Sequence, residues 1–119
     1  MKWLVGVLIV CSSLLSNVIA IASDGDTLNS KVSSNASRSD YYIFINEKGN
    51  TLEVLNNSFK DIKGGASSKL VEMLKNKQVS HFVASNLGDK LKNSLNSNKI
   101  KYTIFNGSVN TFIEQLVKN

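Results

Sequence analysis

Proline is absent from the 119 residues, and cysteine and histidine occur once each, as Cys11 and His81. Without proline, the chain must end its helices and make its turns with Gly, Asn and Ser. A single cysteine excludes an intramolecular disulfide, and one cysteine with one histidine cannot form a Cys/His metal cage. Any metal would have to be held by oxygen ligands or arrive inside a preformed cofactor. There is no arginine cluster with interleaved aromatics, so the footprint of a nucleic-acid binder is missing and no nucleic-acid partner is expected. What the chain does have is a cationic excess. Lys and Arg number 14 against 9 Asp and Glu, a formal charge of +5, so the surface attracts anions over roughly a Debye length. The length suits one domain with one core.

The first 22 residues allow two readings. They open with Lys2, pass through apolar residues 3–10 and reach Ala20-Ile21-Ala22 before Ser23, the pattern of a secretory signal peptide with an Ala-x-Ala cleavage site. A lipoprotein reading of Cys11 fails on the bulky Val10 before it, and Ser12, Ser13, Ser16 and Asn17 interrupt a spanning helix. Alternatively, Val18-Ile19-Ala20-Ile21-Ala22 is a short buried strand running into the turn Ser23-Asp24-Gly25-Asp26. Cleavage after Ala22 would remove that strand, so the readings exclude each other. Under the second, residues 1–17 are a signal-like apolar extension or tether and residues 18–119 are the domain. Export or membrane tethering through residues 1–17 is the alternative to a cytoplasmic protein.

Residues 24–40 are polar and turn-rich and read as a long loop, a feature often functional in compact domains. Tyr41-Tyr42-Ile43-Phe44-Ile45 and Thr51-Leu52-Glu53-Val54-Leu55 read as strands joined by a glycine-containing hairpin, Glu47-Lys48-Gly49-Asn50. Leu70, Val71, Met73 and Leu74 recur at helical spacing, as do Leu87, Leu91 and Leu95, with the strand Phe82-Val83-Ala84 between them. Tyr102-Thr103-Ile104-Phe105 predicts a last strand, Asn106-Gly107-Ser108 a turn, and Phe112, Ile113 and Leu116 a last helix. Alternation of this kind implies parallel strands with right-handed crossovers. The strands at Val18, Thr51, His81 and Tyr102 then run the same way, and the long loop and three strand-to-helix turns meet on one sheet edge, where open α/β sheets bind ligands.

Two of these turns carry the binding expectation. Gly64-Gly65-Ala66-Ser67 leads into a helix, where unpaired backbone N–H groups attract an anion; the alternative is that the glycines only let the chain turn. Ser85-Asn86-Leu87-Gly88 has the same form, although Ser85 and Asn86 are expected first of all to cap a helix beginning near Leu87. His81 reads as an ordinary residue at a strand start.

These segments resemble the dinitrogenase iron–molybdenum cofactor family over residues 18–116. The resemblance is carried by Ile19-Ala20-Ile21-Ala22-Ser23-Asp24-Gly25, by Gly64-Gly65-Ala66, by Ala84-Ser85-Asn86-Leu87-Gly88, and by Gly107-Ser108-Val109 before Phe112-Ile113-Glu114. It implies a ribonuclease H-like α/β fold, a mixed five-stranded sheet flanked by helices. It also implies a non-catalytic carrier for an iron–molybdenum or related metal–sulfur cofactor, related to nitrogen fixation, with cofactor-assembly proteins as possible partners, and favours a cytoplasmic protein with its first strand intact. Where the family shows His-Phe-Gly followed by Arg, this chain has Asn35-Ala36-Ser37 followed by Arg38. Ser33, Arg38 and Tyr42 fit the pattern and the histidine does not. The implied contacts are thus Ser33, Asn35 as a weak polar ligand, Arg38 as the charge, and the backbone of Gly64, Gly65, Ala66, Ser67, Ser85, Asn86 and Gly88.

Two rivals follow. A degenerate relative without cargo would serve as an interaction or regulatory module. A ribonuclease H-like nuclease would gather Asp24, Asp26 and Asp40 around two cations, but the strand ending Ala84-Ser85-Asn86 offers no carboxylate before Asp89.

Overall fold

Alternating Ile and Ala residues give the first strand, β1 (Val18–Ser23), two usable faces, and it becomes the centre of the sheet. The structure is a computed structural model and describes residues 17–118. After β1 come β2 (Tyr41–Ile45), β3 (Thr51–Asn56), α1 (Ala66–Asn76), β4 (Val79–Ala84), α2 (Asp89–Ser97), β5 (Lys101–Ile104) and α3 (Val109–Lys118). The five strands lie in the order β3-β2-β1-β4-β5. β1 pairs antiparallel with β2, Ile21 opposite Ile43, and parallel with β4, Ile21 opposite Val83. β2 pairs antiparallel with β3 and β4 parallel with β5. β1, β3, β4 and β5 therefore point one way, as expected from the hairpin and the crossovers.

The period of two sorts the sheet into two cores. Ala20, Ala22, Tyr42, Phe44, Phe82 and Ala84 face α1 and α2, against Leu70, Leu74, Leu91 and Leu95. Ile19, Ile21, Ile43, Ile45 and Val83 face α3, against Val109 and Ile113. Each large side chain buried this way contributes roughly 1.5–3 kcal/mol. Because β1 pairs on both sides, cleavage after Ala22 would take the middle out of the sheet. Ala20 and Ala22 thus belong to a strand in this fold. Residues 1–16, including Cys11 and most of the leader or tether, lie outside the described residues. No helix among the described residues is long and apolar enough to cross a membrane.

One boundary differs from expectation with a consequence for the site. Leu87 is buried but precedes α2, which begins at Asp89 with Gly88 as its N-cap. Leu87 packs into the α1/α2 core from the connection, so its apolar character extends the helical pattern one turn too early.

Candidate functional site

The loop of residues 24–40 and the connections after β3, β4 and β5 all lie at the sheet edge where the four co-directional strands end. The first half of the loop closes one of the three helix starts. The Val32 amide donates to Gly107 O, and Lys31 bridges Ser108. The amides of Val109 and Asn110 donate to Ser30 O at 2.9 Å and Leu28 O at 2.8 Å. The Thr111 amide donates to Ser108 Oγ at 3.0 Å, an N-cap. The start of α3 is therefore satisfied by the protein itself, and Gly107 belongs to a sealed turn.

Buried hydrogen bonds fix the second half of the loop. Ser33 is buried; its amide donates to Ala22 O, its carbonyl accepts from the Ser85 amide, and its Oγ accepts from the Asn35 amide. Ser33 and Ser85 thus stitch the loop between the ends of β1 and β4. The Ser39 hydroxyl donates to Ser23 O, and the Tyr42 hydroxyl donates to Ala36 O at 2.6 Å. Asn57, also buried, donates its side-chain amide to Ser39 O at 2.8 Å and to Ser37 O at 3.3 Å. Burial pushes the Tyr42 phenol well above its ordinary value, so it remains a donor at any working pH. Ser34, Asn35, Ser37 and Arg38 are left on the outer side of a fixed base, with Ala36 buried between them.

They form one wall of a cleft of about 410 Å³, whose other walls are residues 65–68 at the start of α1 and Asn86, Gly88, Lys90 and Leu91 at the start of α2. Among the described residues the lining includes two cations, Arg38 and Lys90, and no Asp or Glu. Neither helix start carries a side-chain cap. The first backbone bonds of the helices run from Lys69 N to Gly65 O and from Lys92 N to Gly88 O, so the amides of residues 66–68 and 89–91 have no helical partner. Two positive dipole ends therefore open on one hollow with two side-chain cations.

The glycines here differ in what they are for. Gly64 and Gly65 have φ of 101° and 78°, and a Cβ on either would meet nothing within 4 Å. Backbone conformation, not space, calls for glycine there. Gly88 has φ −74° and ψ 159°, open to any residue, and a Cβ there would also meet nothing within 4 Å. Neither conformation nor packing asks for glycine at this N-cap. Glycine is itself among the residues that N-cap positions favour over alanine.

The structure brings Asn35, Arg38, Gly65, Ala66, Ser67, Asn86 and Gly88 together on the cleft, and leaves Ser33, Gly64 and Ser85 off its lining. The Gly64 amide donates to Ile62 O and the Ser85 amide to Ser33 O, so both backbone donors expected of them are already engaged. Ser85 and Asn86 do not cap α2, because the helix starts beyond them. Arg38 lines the cleft, but its Nη1 donates to Lys60 O at 2.9 Å and Ile62 O at 2.7 Å. Ser37 joins the walls through a hydroxyl contact with Ser67 at 2.9 Å. Sequence reasoning missed Ser34, Ala36, Ser37, Ser68, Lys90 and Leu91; the available signal for Lys90 was a lysine in a first helical turn.

The carboxylates and the histidine lie elsewhere. Asp40 is ion-paired with Lys60, whose pKa is raised by that hydrogen bond and charge, and Asp24 and Asp26 are exposed. Among the described residues, no three of His, Cys, Asp and Glu gather as a metal site. His81 sits near the opposite end of β4, bonded to Thr103 Oγ1 at 2.6 Å, its pKa lowered by burial and then by Lys101.

Comparison with known proteins agrees with this architecture. The apo form of the orange protein from Desulfovibrio gigas superposes with a TM-score of 0.77 at 16% identity, covering 86% of this chain and 88% of that one. A NifB-like protein from Thermotoga, solved by NMR, gives a TM-score of 0.71 at 30% identity over 87% of this chain and 89% of its own. No curated protein matches the chain. The sequence profile of the dinitrogenase iron–molybdenum cofactor family matches residues 17–119. This chain belongs to the dinitrogenase iron–molybdenum cofactor family.

Proposed function

We propose that the protein is a non-catalytic carrier that holds an anionic metal–sulfur cofactor in the cleft between the starts of α1 and α2. The observation that carries this reading is the pair of uncapped helix N-termini opening on one hollow lined by Arg38 and Lys90, with no carboxylate among the described lining residues. The donors are backbone N–H groups, hydroxyls, the Asn35 and Asn86 amides and two cations. Such a set suits the outer sulfur or oxygen atoms of an anion, held by hydrogen bonds and charge rather than by a bond to metal. Each helix end contributes about 0.3–1 kcal/mol toward an anion. The resulting grip is reversible, as a carrier that must pass cargo to assembly partners requires.

Anaerobic equilibrium dialysis against tetrathiomolybdate or the iron–molybdenum cofactor tests it. The expected result is retained colour with molybdenum that co-migrates with the protein. A colourless protein holding neither molybdenum nor iron would refute the carrier reading. One observation favours a second reading: Asn35-Ala36-Ser37 stands where the family pattern places His-Phe-Gly, removing the side chain best suited to bind metal. On that reading the protein is an interaction or regulatory module of the same fold, and the dialysis would leave it empty.

A further inference from the structure

The two cations on the cleft have different surroundings. Resting on the carrier reading above, we infer that Lys90 is the side chain that meets the anion, while Arg38 is a positioning residue that holds the start of α1 in place. The Arg38 Nη1 donates to two carbonyls of the connection between β3 and α1, those of Lys60 and Ile62. Ile62 O also accepts the Gly64 amide, so the guanidinium braces the chain immediately before the two positive-φ glycines that aim α1. A planar fork engaged in this way has part of its charge and geometry committed to the protein.

Lys90 is the opposite case. It is exposed, lines the cleft from the first turn of α2, and its ammonium has no ion-pair or hydrogen-bond partner among the described residues. Asp89, next to it in the same turn, makes no ion pair with it and does not line the cleft. A cation at the positive end of a helix dipole is unfavourable in the empty protein. A bound anion turns both charges from a mutual penalty into a joint attraction, and a flexible ammonium adapts to the outer atoms of a compact ligand.

The test measures tetrathiomolybdate affinity by anaerobic equilibrium dialysis at low and high salt, together with the melting temperature of the empty protein. The wild type is compared with K90Q, K90R, R38Q and R38K. K90Q is expected to weaken binding about three- to tenfold at low salt, to flatten the salt dependence, and to leave the melting temperature of the empty protein unchanged or slightly higher; K90R restores binding. R38Q is expected to lower the melting temperature and weaken binding while the salt dependence persists, with partial recovery in R38K. Wild-type binding that K90Q leaves intact would overturn this assignment alone, as would loss of the salt dependence in R38Q. If R38Q does not fold, the Lys90 variants decide. A wild type that takes up no tetrathiomolybdate ends the carrier reading itself, and this assignment with it.

Discussion

Three helices begin at the same edge of the same sheet, and only one of them is closed. The start of α3 has its first amides taken by Ser30 O, Leu28 O and Ser108 Oγ, whereas α1 and α2 begin at glycines with no side-chain cap. The loop that closes α3 continues past the other two starts and forms the outer wall of their cleft instead. The N-cap position itself carries the difference: Ser108 stands before α3, and glycine, with no side chain to accept an amide, stands before α1 and α2. Ser67, already inside α1, is turned to Ser37. The closed start stabilises the fold, and the open pair leaves N–H groups available to a ligand.

The two open starts differ in turn, and the sharpest way to show it is to place alanine at each glycine. Gly65→Ala should cost about 1–2 kcal/mol, since an L-residue is forced to a left-handed φ, and should also misdirect the α1 amides. Gly88→Ala should cost less, about 0.5 kcal/mol, the modest preference of an N-cap for Gly over Ala, because its backbone is already in an ordinary region and the space is empty. Urea midpoints of the two variants check the contrast; equal losses would mean that the two N-caps are held by the same constraint.

Next in size is the closed start. Ser108→Ala removes the side-chain cap on Thr111 N and should cost about 1 kcal/mol, or ~4–8 °C in melting temperature for a domain of this size. Anion affinity should stay at the wild-type value, because the start of α3 is not on the cleft. Equilibrium dialysis with tetrathiomolybdate reads this directly, and weakened binding would place the third helix start in the site after all.

The fold was legible because its signals are local. Alternation in Ile19-Ala20-Ile21-Ala22, the glycine in the 47–50 hairpin and the spacing of Leu70 and Leu74 each point to one element, and strand direction then brings the turns to one edge. The site was legible only in part. That Leu28 and Ser30 close a helix some 80 residues later is a matter of backbone carbonyls, which no side-chain type announces. The commitment of the Gly64 and Ser85 amides is hidden for the same reason. Lys90 was overlooked because it stands beside Lys92 in a lysine-rich half of the chain, where nothing local separates a cleft cation from a solvated one. The helix that buries Leu91 toward the core turns Lys90 onto the cleft.

The smallest expected change in stability tests the comparison most closely. Ser at position 88 would supply α2 with the kind of cap that Ser108 gives α3, and exchange of Gly for Ser at an N-cap gains only a few tenths of a kcal/mol. Its hydroxyl would accept an amide that the open start otherwise presents to the cleft. Gly88→Ser should therefore melt slightly higher and bind tetrathiomolybdate more weakly, and Gly88→Asp should lose more affinity because a carboxylate now stands at the mouth. The sign of the two changes matters more than their size. A packing role for Gly88 predicts loss of stability, an idle role predicts unchanged binding, and an N-terminus kept open for an anion predicts a more stable protein that holds its ligand less well.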